Sequence, residues 1–488
     1  MVANQPEPMK PFTDSPWKAF SRISRKTFCA LFWQHSTPPR NNSWAASRKT
    51  LEVADFPSGL DDVLAGYAEM VPAVELVPSV EELTRRLRGI ARREAGLCRM
   101  RRIGTSRGGR ALEVLSVGAA RRSVLVVGGP HPNEPVGYAT VAFLADLVTA
   151  RPELRDGVAW NFLPCVDPDG AARNSEWTSM PLDLHTEHRY FYRPALAEQP
   201  EWTFPIPWRG QLHRFGLPEQ QALADLVDEL EPAAVVSLHN AEFGSPFFVA
   251  SRAVPGLAAH LAAVAERHGL PVGDAAPSDV VGWPVLGPGV YQMPPIEELM
   301  IRDHGQQAPA YGAHLAHHAA RHGTLTLLPE VPRWHVATRF EDSPAATLAV
   351  LAEALTGETA EVQRLLAQAG HPGDVFARAA ADTAAVTDAV TRSWQQRAQD
   401  DTPVPGTELA EAHYARVMLT LRSAGMALRS VCEEPPGKAV LSTRARLEKL
   451  LFERARQCER HLRARPVGLR RLVAVQACAA LAAAVLAR

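Results

Sequence analysis

The chain has 488 residues, 46% hydrophobic and 22% charged, the composition of an ordinary globular protein long enough for a large domain and a smaller one. Its formal charge of −1 gives no electrostatic reason to expect nucleic acid or an anionic membrane as the main partner. The six cysteines are scattered without a C-x-x-C pair, which argues against a disulfide framework and fits a reducing compartment.

Residues 1–75 read as an N-terminal extension, polar, basic and Pro-rich at its start, where disorder is expected. The first twenty residues contain no apolar core of the kind a secretory signal needs, so a cytoplasmic location is the expectation. Helical spacing begins at Val80, with Ser79 as N-cap, acids at 81 and 82, and Leu83, Leu87 and Ile90 on one face. Two strand-like runs follow, 98–103 and 111–117, joined by a turn rich in Gly and charge. Short apolar runs at 123–128, 158–164, 233–238, 247–250 and 324–328 then alternate with helical stretches at 136–150, 218–229, 257–268 and 310–322. That alternation predicts an α/β domain over 76–345 with a mostly buried sheet flanked by helices. Beyond 345 strand signals vanish and Ala, Leu, Glu and Arg dominate, predicting an appended all-helical domain over 346–488. Proline-rich breaks at 401–406 and 433–438 divide it. The apolar stretch 472–486 is short and interrupted by Gln476, so a buried or amphipathic helix is expected there and no membrane span.

Chemistry concentrates at three strand ends. The run 124–127 ends in Gly128-Gly129-Pro130 and delivers His131 and, three residues on, Glu134. The run 235–238 ends in His239, and the run 324–328 leads through Pro329 to Glu330. Loops at strand C-termini are where open α/β sheets bind ligands. Two imidazoles and a carboxylate are zinc donors that leave a fourth position open for chemistry. The predicted metal ligands are therefore His131, Glu134 and His239, and Zn2+ is the predicted cofactor. His314, His317, His318 and His322 also recur at helical spacing and are read as surface residues of an amphipathic helix.

In order and spacing these segments resemble the M14 family of zinc carboxypeptidases, over roughly residues 76–345. The likeness extends to the opening helix, to Ile103-Gly104-Thr105-Ser106, and to Val166-Asp167-Pro168-Asp169-Gly170, which is similar to the family's N-P-D-G loop. It implies a mixed eight-stranded sheet between helices and zinc-dependent hydrolysis of a peptide or peptide-like amide bond. It also implies Glu330 as general base, Arg173 as the cation at the oxyanion with Asn174 beside it, and Tyr291 or Tyr311, the former favoured, as a phenol over substrate.

One stretch departs from the family. Its exopeptidases carry D-L-N-R-N-F, whose Asn and Arg grip the substrate's terminal carboxylate, whereas this chain reads Asp183-Leu184-His185-Thr186-Glu187-His188. Threonine cannot make the bidentate pair that arginine makes with carboxylate. Either Arg189 or Arg193 replaces it, or the substrate has no free carboxylate there. The expected substrate is thus a peptide or an N-acyl amino acid. The alternatives are a small-substrate deacylase or amidase of the desuccinylase–aspartoacylase type, and a catalytically silent metal-binding scaffold. For the C-terminal helices the open readings are self-association, a lid over the cleft, or partner binding.

Overall fold

A computed structural model describes residues 61–487, apart from 74, 278–279, 305–308, 371–372 and 401. The expected disorder in the first residues falls outside the described ones. In chain order the elements are α1 (Asp61–Glu69), α2 (Val80–Arg93), β1 (Cys98–Thr105), β2 (Ala111–Val117), β3 (Arg122–Val127), α3 (Val136–Ala150) and β4 (Val158–Leu163). Next come α4 (Pro168–Thr178), α5 (Leu184–Arg189), β5 (Ile206–Trp208), β6 (Gln211–His213), α6 (Pro218–Leu230), β7 (Ala234–Ser237), β8 (Phe247–Ala250) and α7 (Leu257–Arg267). They are followed by β9 (Val285–Gly287), β10 (Val290–Gln292), α8 (Ile296–His304), α9 (Leu315–Ala320), β11 (Leu325–Glu330) and β12 (Trp334–Val336). The chain finishes with α10 (Ala346–Gln368), α11 (Val375–Arg397), α12 (Gly406–Glu433), α13 (Lys438–His461), β13 (Ala464–Pro466) and α14 (Leu469–Leu486).

The main sheet runs β1-β2-β4-β3-β7-β11-β8-β10-β9, mixed in direction. Its middle, β4-β3-β7-β11, is parallel throughout. Among the described residues nine strands stand where the resemblance implied eight. The strands β9 and β10 that the sequence did not reveal are three residues each, around a Gly-Pro-Gly turn, too short to show alternation. Along β3 the alternation itself assigns faces: Val124 and Val126 join a core with α3, α7 and α14, while Leu125 and Val127 join one with α6 and α9. Both faces being covered explains why the central strands read as unbroken apolar runs.

The capping box expected at Ser79 is formed: Ser79 Oγ accepts from the Glu82 amide at 3.2 Å, and the Glu82 carboxylate accepts from the Ser79 amide at 2.9 Å. After β3, Gly129 takes φ +50°, and a Cβ there would meet the Tyr138 ring. This tight left-handed turn swings the chain so that His131 lands over the strand end.

Helices α10 to α13 pack on one another as the sequence predicts. Their core also takes in Leu184, Phe191, Tyr192, Phe243 and Trp334 from the sheet-bearing region. The last helix does not join them. α14 packs under the sheet against α1, α3, α7, β7 and β11, and its residues Leu472 to Ala484 are buried. Among the described residues it is the one helix long and apolar enough to cross a membrane, and most of it is buried in this core.

Candidate metal centre

The parallel strands β3, β7 and β11 end at the same edge of the sheet, and His239, just beyond β7, forms an isolated parallel bridge with Glu330, the last residue of β11. The four strand-end residues therefore converge. Glu134 sits between the two imidazoles, with Oε1 2.9 Å from His131 Nδ1 and Oε2 2.9 Å from His239 Nδ1. Glu330 Oε1 lies 3.6 Å from His239 Nδ1. The His131 and His239 ring centroids are 5.0 Å apart. His131, Glu134 and His239 are all buried, whereas the Glu330 side chain is 17% exposed and is the one that reaches solvent.

The donor chemistry fits zinc. Ligating atoms of Glu134, His239 and Glu330 lie within 4.8 Å of one another, as do those of His131, Glu201 and His239. The atoms His131 Nε2, Glu201 Oε2 and both ring nitrogens of His239 are buried and make no aligned hydrogen bond among protein groups. Buried polar atoms left so are costly, and a cation among them removes the cost. Electrostatics differ among the three: burial would lower His239, but the charges of Glu201, Glu134 and Glu330 hold it well above its ordinary range. Burial would raise Glu134, but the facing imidazoles of His131 and His239 hold its carboxyl well below the usual range. Burial and the Arg193 guanidinium push His131 down to about 4, keeping the ring neutral as a ligand must be.

Glu201 was not found from the sequence. It lies in the 3-10 turn Pro200–Trp202, within a Pro-rich loop that carries no periodicity, and its side chain is fully buried. Oε2 is 2.9 Å from His239 Nε2, and Oε1 accepts from the Ser237 hydroxyl at 2.6 Å. His314 Nε2 stands 3.5 Å from the same Oε1. The expectation that His314 is a surface histidine is therefore corrected. The helix begins only at Leu315, and His314 caps it by accepting the Ala316 amide, which tucks its ring beneath the sheet edge.

The remaining predicted residues divide. Arg193 is at the centre, donating from Nη1 to Glu134 Oε1 at 2.8 Å. Arg173 is not in contact with the ligands; its guanidinium donates to the Asp169 carbonyl and lies 5.3 Å from the Tyr192 ring centroid. Asn174 is fully buried, and its amide is filled: Nδ2 donates to Gly170 and Tyr192 carbonyls, while Oδ1 accepts from the Tyr192 amide and the Trp177 indole. A side chain so occupied braces the loop before Arg193 and has nothing left for substrate. Arg189 is drawn away to Glu448 on α13 and to the ring of Tyr190, because α5 packs against the helical region. Tyr291 is buried against Phe247 and lines a cavity of about 150 Å3 with His335, Glu411 and Tyr414. That cavity adjoins Glu330 through Phe247, its register partner on β8.

The stretch departing from the family pattern has a different employment. Glu187 and His188 form a buried ionic cluster with Glu242, Arg333 and Arg422 of α12. Trp334 Nε1 donates to Glu187 Oε2 at 2.9 Å.

Residues 83–242 match the family model Peptidase_M14, zinc carboxypeptidase. No curated protein matches the chain. Among solved structures, the chain is similar to carboxypeptidase A from Helicoverpa armigera, at 16% identity over 56% of this chain and 70% of that one, with a TM-score of 0.36. Bovine thrombin-activatable fibrinolysis inhibitor, in complex with tick carboxypeptidase inhibitor, matches at 15% identity over 52% and 86%, with a TM-score of 0.34. A metallo-carboxypeptidase from Burkholderia cenocepacia matches at 14% identity over 52% and 60%, with a TM-score of 0.32. The segment similar to the Peptidase_M14 zinc carboxypeptidase family, residues 83–242, thus holds His131, Glu134, Glu201 and His239.

Proposed function

We propose that this protein is a zinc-dependent hydrolase of a peptide or peptide-like amide bond, with His131, Glu134 and His239 holding the metal and Glu330 as general base. The observation that carries this reading is the carboxylate of Glu134 seated between two imidazole Nδ1 atoms, with the partly exposed Glu330 beside them. Zinc held there supplies Lewis-acid chemistry, polarising an amide carbonyl and acidifying water. Glu330 takes a proton from the attacking water and returns it to the leaving amine. Arg193, the guanidinium nearest the ligands, offsets the negative charge that develops on the carbonyl oxygen. Glu330→Gln is expected to keep zinc and lose turnover; retained activity would remove Glu330 from its role, and with it the hydrolase reading of these four residues.

A second reading within the same chemistry is a deacylase or amidase acting on small N-acyl substrates. It is favoured by the fate of the stretch 183–189. His185 and Thr186 replace the family's carboxylate grip, Glu187 and His188 are buried in an ionic cluster, and Arg189 is engaged by Glu448. No arginine of that stretch is placed to hold a terminal carboxylate. Assaying free and amidated peptides beside N-acyl amino acids separates the two, since cleavage of the last class alone supports the deacylase.

A further inference from the structure

We propose that Glu201 is a positioning residue of the metal centre, holding the proton of His239 on Nε2 so that the Nδ1 lone pair faces the cation. The inference rests on the metal reading of His131, Glu134 and His239 above.

The argument is one of which atom faces which. His239 presents Nδ1 to Glu134 and Glu330, and Nε2 to Glu201. A neutral imidazole carries one proton and one lone pair on opposite nitrogens, so whatever fixes the proton chooses the ligating atom. Glu201 Oε2 is 2.9 Å from Nε2, off the axis of the ring N–H but with no other partner of its own. The carboxylate cannot swing to present its other oxygen, because Oε1 accepts the Ser237 hydroxyl. His314 adds to that constraint. Its Nδ1 accepts the Ala316 amide, so a neutral ring bears its proton on Nε2, the nitrogen facing Glu201 Oε1. Glu201 is thus an acceptor on both oxygens, and Nε2–H is the form of His239 that suits it. Metal-bound histidines are commonly oriented by a carboxylate on the far nitrogen, and loss of such a partner costs about 10–100-fold in metal affinity.

Glu201 also lies in the compact group with His131 and His239, so direct ligation is the rival to exclude. The test measures the zinc dissociation constant of the full-length protein by chelator competition, for wild type, Glu201→Gln, Glu201→Asp and Glu134→Ala. Glutamine keeps the shape but can offer an N–H to Nε2, which favours the wrong tautomer. The expected result is a loss of about 10–100-fold in Glu201→Gln, a smaller loss in Glu201→Asp, and essentially no binding in Glu134→Ala. Affinity within twofold of wild type in Glu201→Gln, with Glu134→Ala still defective, would overturn the role of Glu201 alone. Loss as complete as in Glu134→Ala would also overturn it, making Glu201 a ligand. Wild type that binds no zinc would sink both this inference and the function it rests on. A second measurement needs no variant at 201 to fold: in zinc-loaded wild type with isotope-labelled histidine, magnetic resonance should find the His239 proton on Nε2. A proton on Nδ1 contradicts the proposal.

Discussion

His131 and Glu134 were legible because their signal is local: an apolar strand, a pair of glycines, and two donor residues within one turn. His239 and Glu330 repeat that pattern at two other strand ends, and three parallel strands bring the ends to one edge. Glu201 carried no such mark. Its meaning comes from His239 and His314, which are distant in sequence and reach it only through the fold. Which arginine approaches the centre was hard to read for a related reason. Sequence order put Arg173 beside the loop that resembles the family's, but α4 aims its guanidinium at Tyr192 and the Asp169 carbonyl, while Arg193 reaches Glu134. Alanine at Arg193 is therefore expected to lower kcat/KM by about 100- to 1000-fold, and alanine at Arg173 by much less. Steady-state kinetics on the best substrate of the panel would check this, and equal effects would return the role to Arg173.

At the scale of elements, the instructive case is α14. Its Ala-rich sequence and its position after four helices suggested membership of the helical domain, yet its small side chains let it lie close under the sheet. The one polar residue in its middle explains itself there. Gln476 is fully buried, accepts from the Thr140 hydroxyl at 2.7 Å and donates to the His239 carbonyl at 2.6 Å. Periodicity could identify a buried helix, but it could not say which layer buries it. Replacing Gln476 with Leu removes both bonds and leaves a buried carbonyl unpartnered, with an expected cost of about 1–3 kcal/mol. An unchanged denaturant midpoint would show that α14 does not tether the ligand strand.

Across the whole molecule, the helices α10 to α13 are joined to the sheet-bearing region by more than chain connectivity. Gly425 of α12 packs so closely on the His188 carbonyl that a Cβ would collide with it. Arg422 donates to Glu242 Oε1 at 2.8 Å, and His188 Nε2 is 3.3 Å from Glu242 Oε2. Arg378 and Asp382 of α11 hold the loop that carries Arg193 and Glu201, through Glu198 and the Leu196 amide. The helical region thus braces the segment in which the family pattern breaks. Burial would lower His188, but the hydrogen bond and charge of Glu242 hold it above its ordinary 6.5. Burial would raise Glu242, but Arg422, His188 and Arg333 keep it well below its ordinary 4.5. The histidine's contribution to stability is whole below about pH 6.5 and lost as pH rises through its raised folded value. The glutamate's is whole above about pH 4.5 and lost as pH falls through its depressed one. Stability from this pair is therefore greatest between those values. Relative to His188→Asn, the wild type should gain most in thermal melts near pH 6 and progressively less toward pH 9. A difference that does not change with pH would mean that the interface does not depend on the charged imidazole.

The central claim is that strand-end residues from three parts of the chain form one metal site, and elemental analysis of purified protein tests it most directly. After zinc repletion and removal of excess, wild type should hold about one zinc per chain, Glu330→Gln the same amount, and Glu134→Ala or His239→Ala almost none. Wild type without zinc, or ligand variants that retain it, would contradict the account.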